Sequence, residues 1–157
     1  MAKTKVLMVC LGNICRSPLA EGILKHKVNT DLVEVDSAGT SAEHAGELPD
    51  PRSIEVAKQN GLDITDQRPR QFKKSDFSNF DFIYVMDQQN YDNVIALSPS
   101  NEAAKKVSLI LNSLTPNSDA EVPDPYYGGK NGFRNVYKML DEACEQIAKE
   151  LKNNADA

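Results

Sequence analysis

The sequence predicts an α/β fold in which a parallel β-sheet is covered by helices on both faces. Three observations predict it: short apolar runs alternate with helical signals, the first run is typical of a buried parallel strand, and the last long segment shows clear helical spacing. The chain has 157 residues, of which 40% are hydrophobic and 26% are charged. This length and composition suit one domain with a proper core, so residues 1–157 are expected to form a single domain.

The strand and helix signals follow one another along the chain. Strands are predicted at Lys5–Cys10, Leu32–Asp36, Asp81–Met86 and Lys106–Leu111. Helices are predicted after them, at Pro18–Val28, Pro51–Asn60, Gln88–Leu97 and Gly132–Leu151. This alternation is typical of a parallel sheet.

The first and last elements have the clearest local justification. The first strand, Lys5-Val6-Leu7-Met8-Val9, is short, apolar and flanked by turn residues. Ser17 is a good N-cap and Pro18 suits the first helical position, so they predict the start of the first helix. The last helix carries its apolar residues on one face: Phe133, Val136, Leu140, Ala143, Ile147 and Leu151. Cys144 falls on the same stripe and is expected to be an inert core thiol.

Two segments lack clean periodicity, Ser37–Leu48 and Thr115–Lys130. In an open parallel sheet, ligands bind at the carboxyl ends of the strands. The loop after Cys10 lies at such an end, so both irregular segments can converge on it.

Composition excludes several classes of function. The net charge is −5 and no basic run is present, so nucleic acid is not an expected partner. No apolar stretch approaches a membrane span, and the N-terminal run is too short and interrupted for a secretory signal. Three cysteines without such a signal indicate free thiols in a reducing cytoplasm. His26 and His44 have no partners at metal-ligand spacing, so no metal site is expected, and His44 is a weak candidate for the rim of a pocket.

The segment Cys10-Leu11-Gly12-Asn13-Ile14-Cys15-Arg16-Ser17 carries the chemistry. Gly12 and Asn13 tolerate the left-handed backbone that a tight anion-binding loop needs. The loop N–H groups, the N-terminus of the following helix and Arg16 all favour the thiolate form of Cys10. The planar fork of Arg16 also matches two phosphate oxygens. The pattern predicts a nucleophile for a phosphoryl group rather than a packing thiol.

Asp124 is the candidate proton donor, because a thiolate that attacks a phosphate ester needs a proton for the leaving oxygen. Pro123 and Pro125 restrict its backbone. An aspartate beside proline is more often a turn residue, and the presence of Cys10 favours the catalytic interpretation. Tyr126 and Tyr127 follow at once, and they either wall a pocket for an aromatic substrate or form a hydrophobic lid.

With these motifs the chain resembles the low-molecular-weight protein tyrosine phosphatases over nearly its full length. The resemblance rests on Val9–Pro18, Asp36–Thr40, Pro49–Arg52, Arg70–Gln71, Val85–Asp87 and Asp124–Gly128. The first and last of these are highly specific together. The resemblance implies a small doubly wound sheet of four parallel strands with helices on both faces and a phosphate-binding loop after the first strand.

The resemblance also implies hydrolysis of phosphotyrosine and small aryl phosphates through a phosphocysteine intermediate. Cys10 would be the nucleophile, Arg16 the phosphate clamp, and Asp124 the general acid and then the base for water. No metal or other cofactor would be needed. The expected partners are phosphotyrosine-containing proteins or peptides, with inorganic phosphate as product, and the protein would act as a monomer or weak dimer.

Smaller roles follow from the same resemblance. Asn13 would hold the loop in shape, and Ser17 would donate a hydrogen bond to the Cys10 thiolate. Leu11, Gly12, Ile14 and Cys15 would complete the phosphate-binding loop. The resemblance suggests that Cys10 and Cys15 form a reversible disulfide on oxidation, whereas their spacing alone is equally compatible with simple packing.

The chain departs from its relatives at two places. Relatives commonly place an aromatic residue on the pocket rim where this chain has Glu43, which could favour basic residues beside the phosphotyrosine or simply point into solvent. Relatives often carry a histidine before the Arg-Gln pair, where this chain has Gln67 and Arg68. A contact between that histidine and Asp87 is therefore not expected.

Three other classes stay open. An arsenate reductase shares the fold and loop but needs further cysteines to relay oxidation, and only Cys144 follows Cys15. A protein-arginine phosphatase is closer, although that branch has threonine where this chain has Ile14. A phosphate- or phosphopeptide-binding module would not need Cys10 and Asp124 together.

Overall fold

The sheet at the centre of the molecule is entirely parallel. In the computed structural model, which describes residues 3–127 and 130–156 without the side chains of 127, 130 and 153–156, the strand order is β2-β1-β3-β4. The strands are β1 (Thr4–Cys10), β2 (Val33–Gly39), β3 (Phe82–Val85) and β4 (Val107–Leu109). Their neighbours all pair in parallel register. The predicted four-stranded α/β fold is therefore confirmed.

Six α-helices surround the sheet in the described part of the chain. They are α1 (Arg16–Lys27), α2 (Pro51–Gln59), α3 (Asp76–Asn79), α4 (Gln88–Ile95), α5 (Asn101–Ala104) and α6 (Lys130–Asp156). Short 3₁₀ turns cover Ile110–Ser113 and Pro125–Tyr127. Among the described residues, no helix combines the length and apolar character needed to cross a membrane.

The alternating side chains of β1 divide the interior into two cores. Val6 and Met8 face α1, α2 and α6, and they pack with the apolar residues of those helices. Leu7 and Val9 face the other side, where residues of α3, α4 and α5 cover them. All four β1 side chains are fully buried, as the prediction of helices on both faces requires. The apolar stripe of α6, with Cys144, lies in the first core.

Several predicted boundaries were wrong. The strand predicted at Lys106–Leu111 ends at Leu109, because its only partner in the sheet, β3, ends at Val85, opposite Leu109. The first helix begins at Arg16, with Cys15 as N-cap, so Ser17 and Pro18 lie inside its first turn. The two four-residue helices α3 and α5 were missed, since one turn is too short to show a periodic pattern.

Candidate active site

A cavity of about 230 Å³ opens at the carboxyl end of β1. The sheet order places β2 on one side of β1 and β3 on the other, so the chain crosses over at this point and leaves a crevice. The cavity is lined by Cys10, Leu11, Gly12, Ile14, Cys15, Arg16, Ser41, Glu43, His44, Asp124 and Tyr126. Both irregular segments thus reach the loop that follows Cys10, as the sequence indicated.

The Cys10 sulfur receives two contacts from Ser17. The Ser17 N–H, which is free of intrahelical bonding in the first turn of α1, donates to Cys10 Sγ at 3.4 Å, and Ser17 Oγ lies 3.0 Å from the same sulfur. The predicted N-cap role of Ser17 was wrong because its hydroxyl points to the thiol rather than to the backbone of its own helix. Both contacts favour a negative charge on sulfur.

Asn13 is the centre of a buried network behind the loop. Its φ of 57° is left-handed, and its Nδ2 donates to Ser17 Oγ at 2.7 Å and to Ser37 Oγ at 3.0 Å. Its Oδ1 accepts from the Arg70 N–H at 3.1 Å. Because Asn13 donates to the Ser17 oxygen, the Ser17 proton has two acceptors within reach, Cys10 Sγ at 3.0 Å and Ala38 O at 3.5 Å, and the sulfur is the nearer. Of the two residues in this loop that tolerate a left-handed backbone, the structure has Asn13 in that conformation and not Gly12.

Gly39 at the end of β2 was not recognised as a site residue. A Cβ atom there would stand 2.8 Å from Leu11 O and 2.9 Å from Asn13 N, so only glycine lets the loop pack this closely. The signal in the sequence was a glycine at the end of a strand pattern, which often marks close backbone approach.

Two segments hold the Arg16 side chain in place, one directly after β3 and one directly before Asp124. The guanidinium is 2% exposed, and Nη1 donates to Asp87 Oδ2 at 2.8 Å and to Val122 O at 2.9 Å. Burial alone would lower the pKa of Arg16, but the charges of Cys10, Asp87 and Asp124 and the bond to Asp87 raise it above its ordinary value. Arg16 is therefore a fixed, permanently charged group.

Asp87 has Arg16 as its partner, and its other oxygen accepts from Asn90 N and caps α4. Gln67 is buried and donates from Nε2 to Pro18 O at 3.0 Å.

Asp124 approaches Arg16 from the second irregular segment. Its side chain is 32% exposed, and Oδ2 lies 3.8 Å from Arg16 Nη2. Its Oδ1 accepts from the Tyr126 N–H at 3.0 Å, so the residue also makes the turn that is common for aspartate near proline. The turn aims one carboxylate oxygen into the cavity.

The rim of the cavity combines an acid, an imidazole and a phenol. Glu43 is exposed at the lining, and Tyr126 is 41% exposed. His44 lies against the loop, where a Cβ on Gly12 would be 3.2 Å from its Cδ2, and its Nδ1 is 2.7 Å from Glu47 Oε2. Sequence reasoning gave His44 little weight, because one histidine in an irregular segment carries no pattern. The predicted wall at Tyr127 lies outside the described side chains.

The remaining cysteines differ from Cys10 in their surroundings. All three are free and buried. Burial raises the pKa of the Cys15 thiol, and Asp50 and Cys10 raise it further. Burial likewise raises the pKa of Cys144. Across residues 3–127 and 130–156, no group of three or more His, Cys, Asp and Glu side chains has the arrangement of a metal site.

The loop between β1 and α1 has a thiol at its start and a buried arginine at its end. This arrangement is typical of α/β proteins that bind a phosphoryl group at a cysteine. The chain matches the family model "Low molecular weight phosphotyrosine protein phosphatase" over residues 5–157. The chain belongs to the low molecular weight phosphotyrosine protein phosphatase family, and the resemblance seen in the sequence is confirmed.

Individual relatives agree with this assignment. The low molecular weight phosphotyrosine protein phosphatase of Schizosaccharomyces pombe is 41% identical over 152 residues, which cover 94% of this chain and 96% of that protein. The crystal structure of a protein tyrosine phosphatase from Entamoeba histolytica, with Hepes in its active site, aligns with a TM-score of 0.90 at 38% identity, covering 98% and 99% of the two chains. Wzb of Vibrio vulnificus, in complex with benzylphosphonate, aligns with a TM-score of 0.84 at 33% identity, covering 95% and 99%.

Proposed function

We propose that this protein hydrolyses phosphotyrosine, and small aryl phosphate esters like it, through a phosphocysteine intermediate on Cys10. The observation that carries the proposal is that Cys10, Arg16 and Asp124 line one cavity, at the end of a strand and the start of a helix. A nucleophile, a phosphate clamp and a proton donor are the groups that cleavage of a phosphate ester by a thiolate requires.

Binding comes first. The N–H groups of the loop from Leu11 to Cys15 and the Arg16 fork would hold the three non-bridging phosphate oxygens, with the charge of helix α1's N-terminus behind them. Asp87 and Val122 already hold Arg16 in place, so little reorganisation accompanies binding. Tyr126 would flank the aromatic ring of the substrate.

In the first chemical step the Cys10 thiolate attacks phosphorus, and the bond between phosphorus and the tyrosine oxygen breaks. Asp124 gives its proton to the leaving phenoxide, which departs as neutral tyrosine. Ser17 stabilises the sulfur charge in the free enzyme and, later, the thiolate as a leaving group.

In the second step water attacks the phosphocysteine. Asp124, now a carboxylate, takes a proton from the water as the new P–O bond forms and the P–S bond breaks. Inorganic phosphate leaves and the Cys10 thiolate is restored. Asn13 would keep the loop in one conformation throughout, through its bonds to Ser17, Ser37 and Arg70.

Tyrosine is favoured over arginine as the substrate side chain. Ile14 contributes an apolar side chain to the cavity lining, and an apolar wall suits a phenyl ring better than a guanidinium. An arsenate reductase would need a relay thiol, and Cys144 is fully buried in the core formed with α1, α2 and α6. A module that only binds phosphate or a phosphopeptide has no use for a proton donor beside the thiol, the role proposed for Asp124.

The wider proposal concerns the whole chain. We infer a single phosphatase domain over residues 1–157 that acts in the cytoplasm, as a monomer or weak dimer, on phosphotyrosine-containing proteins or peptides. The support is that its three cysteines are free thiols and that the family match runs over residues 5–157.

The test compares substrates on the purified protein, with a chelator present. Phosphotyrosine peptide and p-nitrophenyl phosphate should be hydrolysed, and phosphoserine and phosphoarginine peptides should be poor substrates. Arsenate with a thiol reductant should not be reduced. Phosphoarginine hydrolysis faster than phosphotyrosine hydrolysis would overturn the tyrosine assignment, and binding without hydrolysis of any ester would overturn the enzyme.

A further inference from the structure

Arg52, in the first turn of α2, lies between two aromatic rings beside the cavity. Its Cζ is 5.3 Å from the ring centroid of Tyr126 and 4.6 Å from that of Phe133. At the same time Nε donates to Asp50 Oδ1 at 3.1 Å and Nη2 to Asp50 Oδ2 at 3.0 Å. A planar guanidinium can make a two-pronged ion pair at its edge while its faces contact rings.

The Asp50 side of this arrangement is fixed to the phosphate-binding loop. Asp50 is buried, its N–H donates to Ile14 O at 2.8 Å, and its carboxylate caps α2. Ser53 Oγ donates to Cys15 O at 3.2 Å. The start of α2 is therefore tied to the phosphate-binding loop by hydrogen bonds.

The Tyr126 side belongs to the segment that carries Asp124. The Tyr126 N–H donates to Asp124 Oδ1, so the orientation of the carboxylate depends on where Tyr126 sits. Phe133 is buried in α6 and forms the other side of the arginine slot. Arg52 thus joins the loop with the nucleophile to the segment with the acid, in addition to the contacts that Arg16 makes with Val122 O and Asp124.

We propose that Arg52 is a positioning residue that sets the distance of Asp124 from the phosphate-binding loop. It acts through Asp50 on one side and the Tyr126 ring on the other, and it touches neither the phosphate nor the leaving group. The proposal rests on the proposed function, because it assumes that Asp124 is the general acid.

The effect of losing Arg52 should depend on the leaving group. Arg52→Met keeps an apolar stem but loses the ion pair and the cation–π contacts, and kcat/KM for phosphotyrosine should fall about tenfold, the size of two modest cation–π contacts. The comparison uses kcat/KM because it covers only the steps up to release of the phenol, before Asp124 acts as the base. For esters of acidic phenols, which leave without a proton, the loss should be less than about twofold. Arg52→Lys keeps a charge near the rings and should recover part of the loss.

The experiment measures kcat and KM for a series of aryl phosphates, the pH profile, and the affinity for inorganic phosphate. Arg134→Ala is the matched control, since Arg134 is exposed in the same groove as Arg52, and it should behave as wild type. We expect a steeper dependence on leaving-group acidity and a weakened limb of the pH profile for the Arg52 variants, with unchanged phosphate affinity. Circular dichroism shows which variants fold. If Arg52→Met does not fold, the kinetics of Arg52→Lys test the proposal in its place.

Equal losses across the series, or weaker phosphate binding with unchanged leaving-group dependence, would overturn the positioning role. Asp124→Ala in the same series separates this from the proposed function. If Asp124→Ala shows no leaving-group dependence, the acid assignment itself fails. If Asp124→Ala shows it and Arg52→Met and Arg52→Lys do not, only the inference about Arg52 is wrong.

Discussion

Asp124 Oδ2 and Arg16 Nη2 lie 3.8 Å apart, which is an ion pair without a direct hydrogen bond. Arg16 has stronger contacts behind it, at 2.8 Å to Asp87 and 2.9 Å to Val122 O. A phosphate bound by the Arg16 guanidinium would therefore leave the contacts to Asp87 and Val122 intact. The Asp124 oxygen would stay free to face the leaving group. Arg16 and Asp124, the proposed clamp and proton donor, are therefore adjacent and attract each other, but no direct hydrogen bond joins them.

Asp124→Ala should slow phosphotyrosine hydrolysis by about 10²–10⁴-fold, the usual contribution of a general acid. The loss should shrink as the leaving phenol becomes more acidic, because such a phenoxide needs no proton. Steady-state kinetics on a series of aryl phosphates measure this slope. Asp124→Asn serves as the control for shape, and it should resemble Asp124→Ala. The slope is taken from kcat/KM, which ends with release of the phenol and leaves out the later step in which Asp124 acts as the base. Equal losses of kcat/KM for all esters would mean that Asp124 only shapes its turn.

Cys10→Ser should abolish turnover while phosphate binding persists. The hydroxyl is far less nucleophilic than a thiolate, whereas the loop N–H groups and Arg16 that bind phosphate are unchanged. Isothermal titration with phosphate, beside an activity assay, checks both halves. Cys144→Ser, in the core and away from the cavity, should keep its activity. Appreciable hydrolysis by Cys10→Ser would contradict the nucleophile assignment.

Iodoacetamide should label Cys10 and leave Cys15 and Cys144 unmodified in the folded protein at about pH 8. Burial raises the pKa of the two latter thiols, so they stay protonated, and only the thiolate form of a cysteine reacts. Peptide mapping after brief labelling gives the sites, and inorganic phosphate should protect Cys10. Labelling of Cys15 as fast as Cys10 would show that the Cys15 thiol ionises more readily than its burial implies.

Much of the phosphate-binding loop could be predicted because its signals are local. A strand, a thiol, Gly12, Asn13, Arg16 and a helix start follow one another in the chain, and each has a propensity of its own. The exact start of α1 could not be predicted. The Ser17 hydroxyl can bond either to the backbone of its own helix or to the Cys10 sulfur, and the packing of the loop favours the sulfur.

The support of the site comes from residues distant in sequence, which no local pattern connects. Asp87 reaches Arg16 across 71 positions, and Arg70 reaches Asn13 across 57. Gly39 matters because a neighbouring loop leaves no room for a Cβ, and that neighbour exists only after β1 and β2 pair. Arg52 is similar, since its rings come from segments more than 70 positions away.

Glu21 should make the stability of the protein fall as pH rises through the weakly acidic range. Burial raises its pKa, which the bonds from Lys25 and Ser37 only partly offset. The folded state therefore binds more protons than the unfolded state between the ordinary carboxyl pKa and the raised one, so the unfolding free energy decreases across that window as pH increases. Glu21→Gln removes this contribution.

Thermal melts of wild type and Glu21→Gln from about pH 4 to pH 8 measure the effect, because their difference isolates the one group. The variant should gain stability relative to wild type as pH rises. Glu55→Gln, at an exposed position on α2, is the control and should track wild type at every pH. A constant difference between Glu21→Gln and wild type would show that the Glu21 pKa is the same in both states.

Glu43 and His44 should shape substrate choice in different ways. Glu43 is an exposed charge at the rim, so Glu43→Gln should reduce the preference for peptides with Lys or Arg beside the phosphotyrosine by about two- to fivefold, and less at high salt. His44 offers a ring whose Nδ1 is held by Glu47. His44→Ala should therefore lower kcat/KM for basic- and acidic-flanked peptides alike, by about two- to tenfold, as expected for a lost ring contact. The measurement is kcat/KM for a basic- and an acidic-flanked phosphopeptide at two salt concentrations, with Glu55→Gln as the charge-matched control. A peptide preference that stays the same in Glu43→Gln at low salt would show that Glu43 faces solvent and takes no part in recognition.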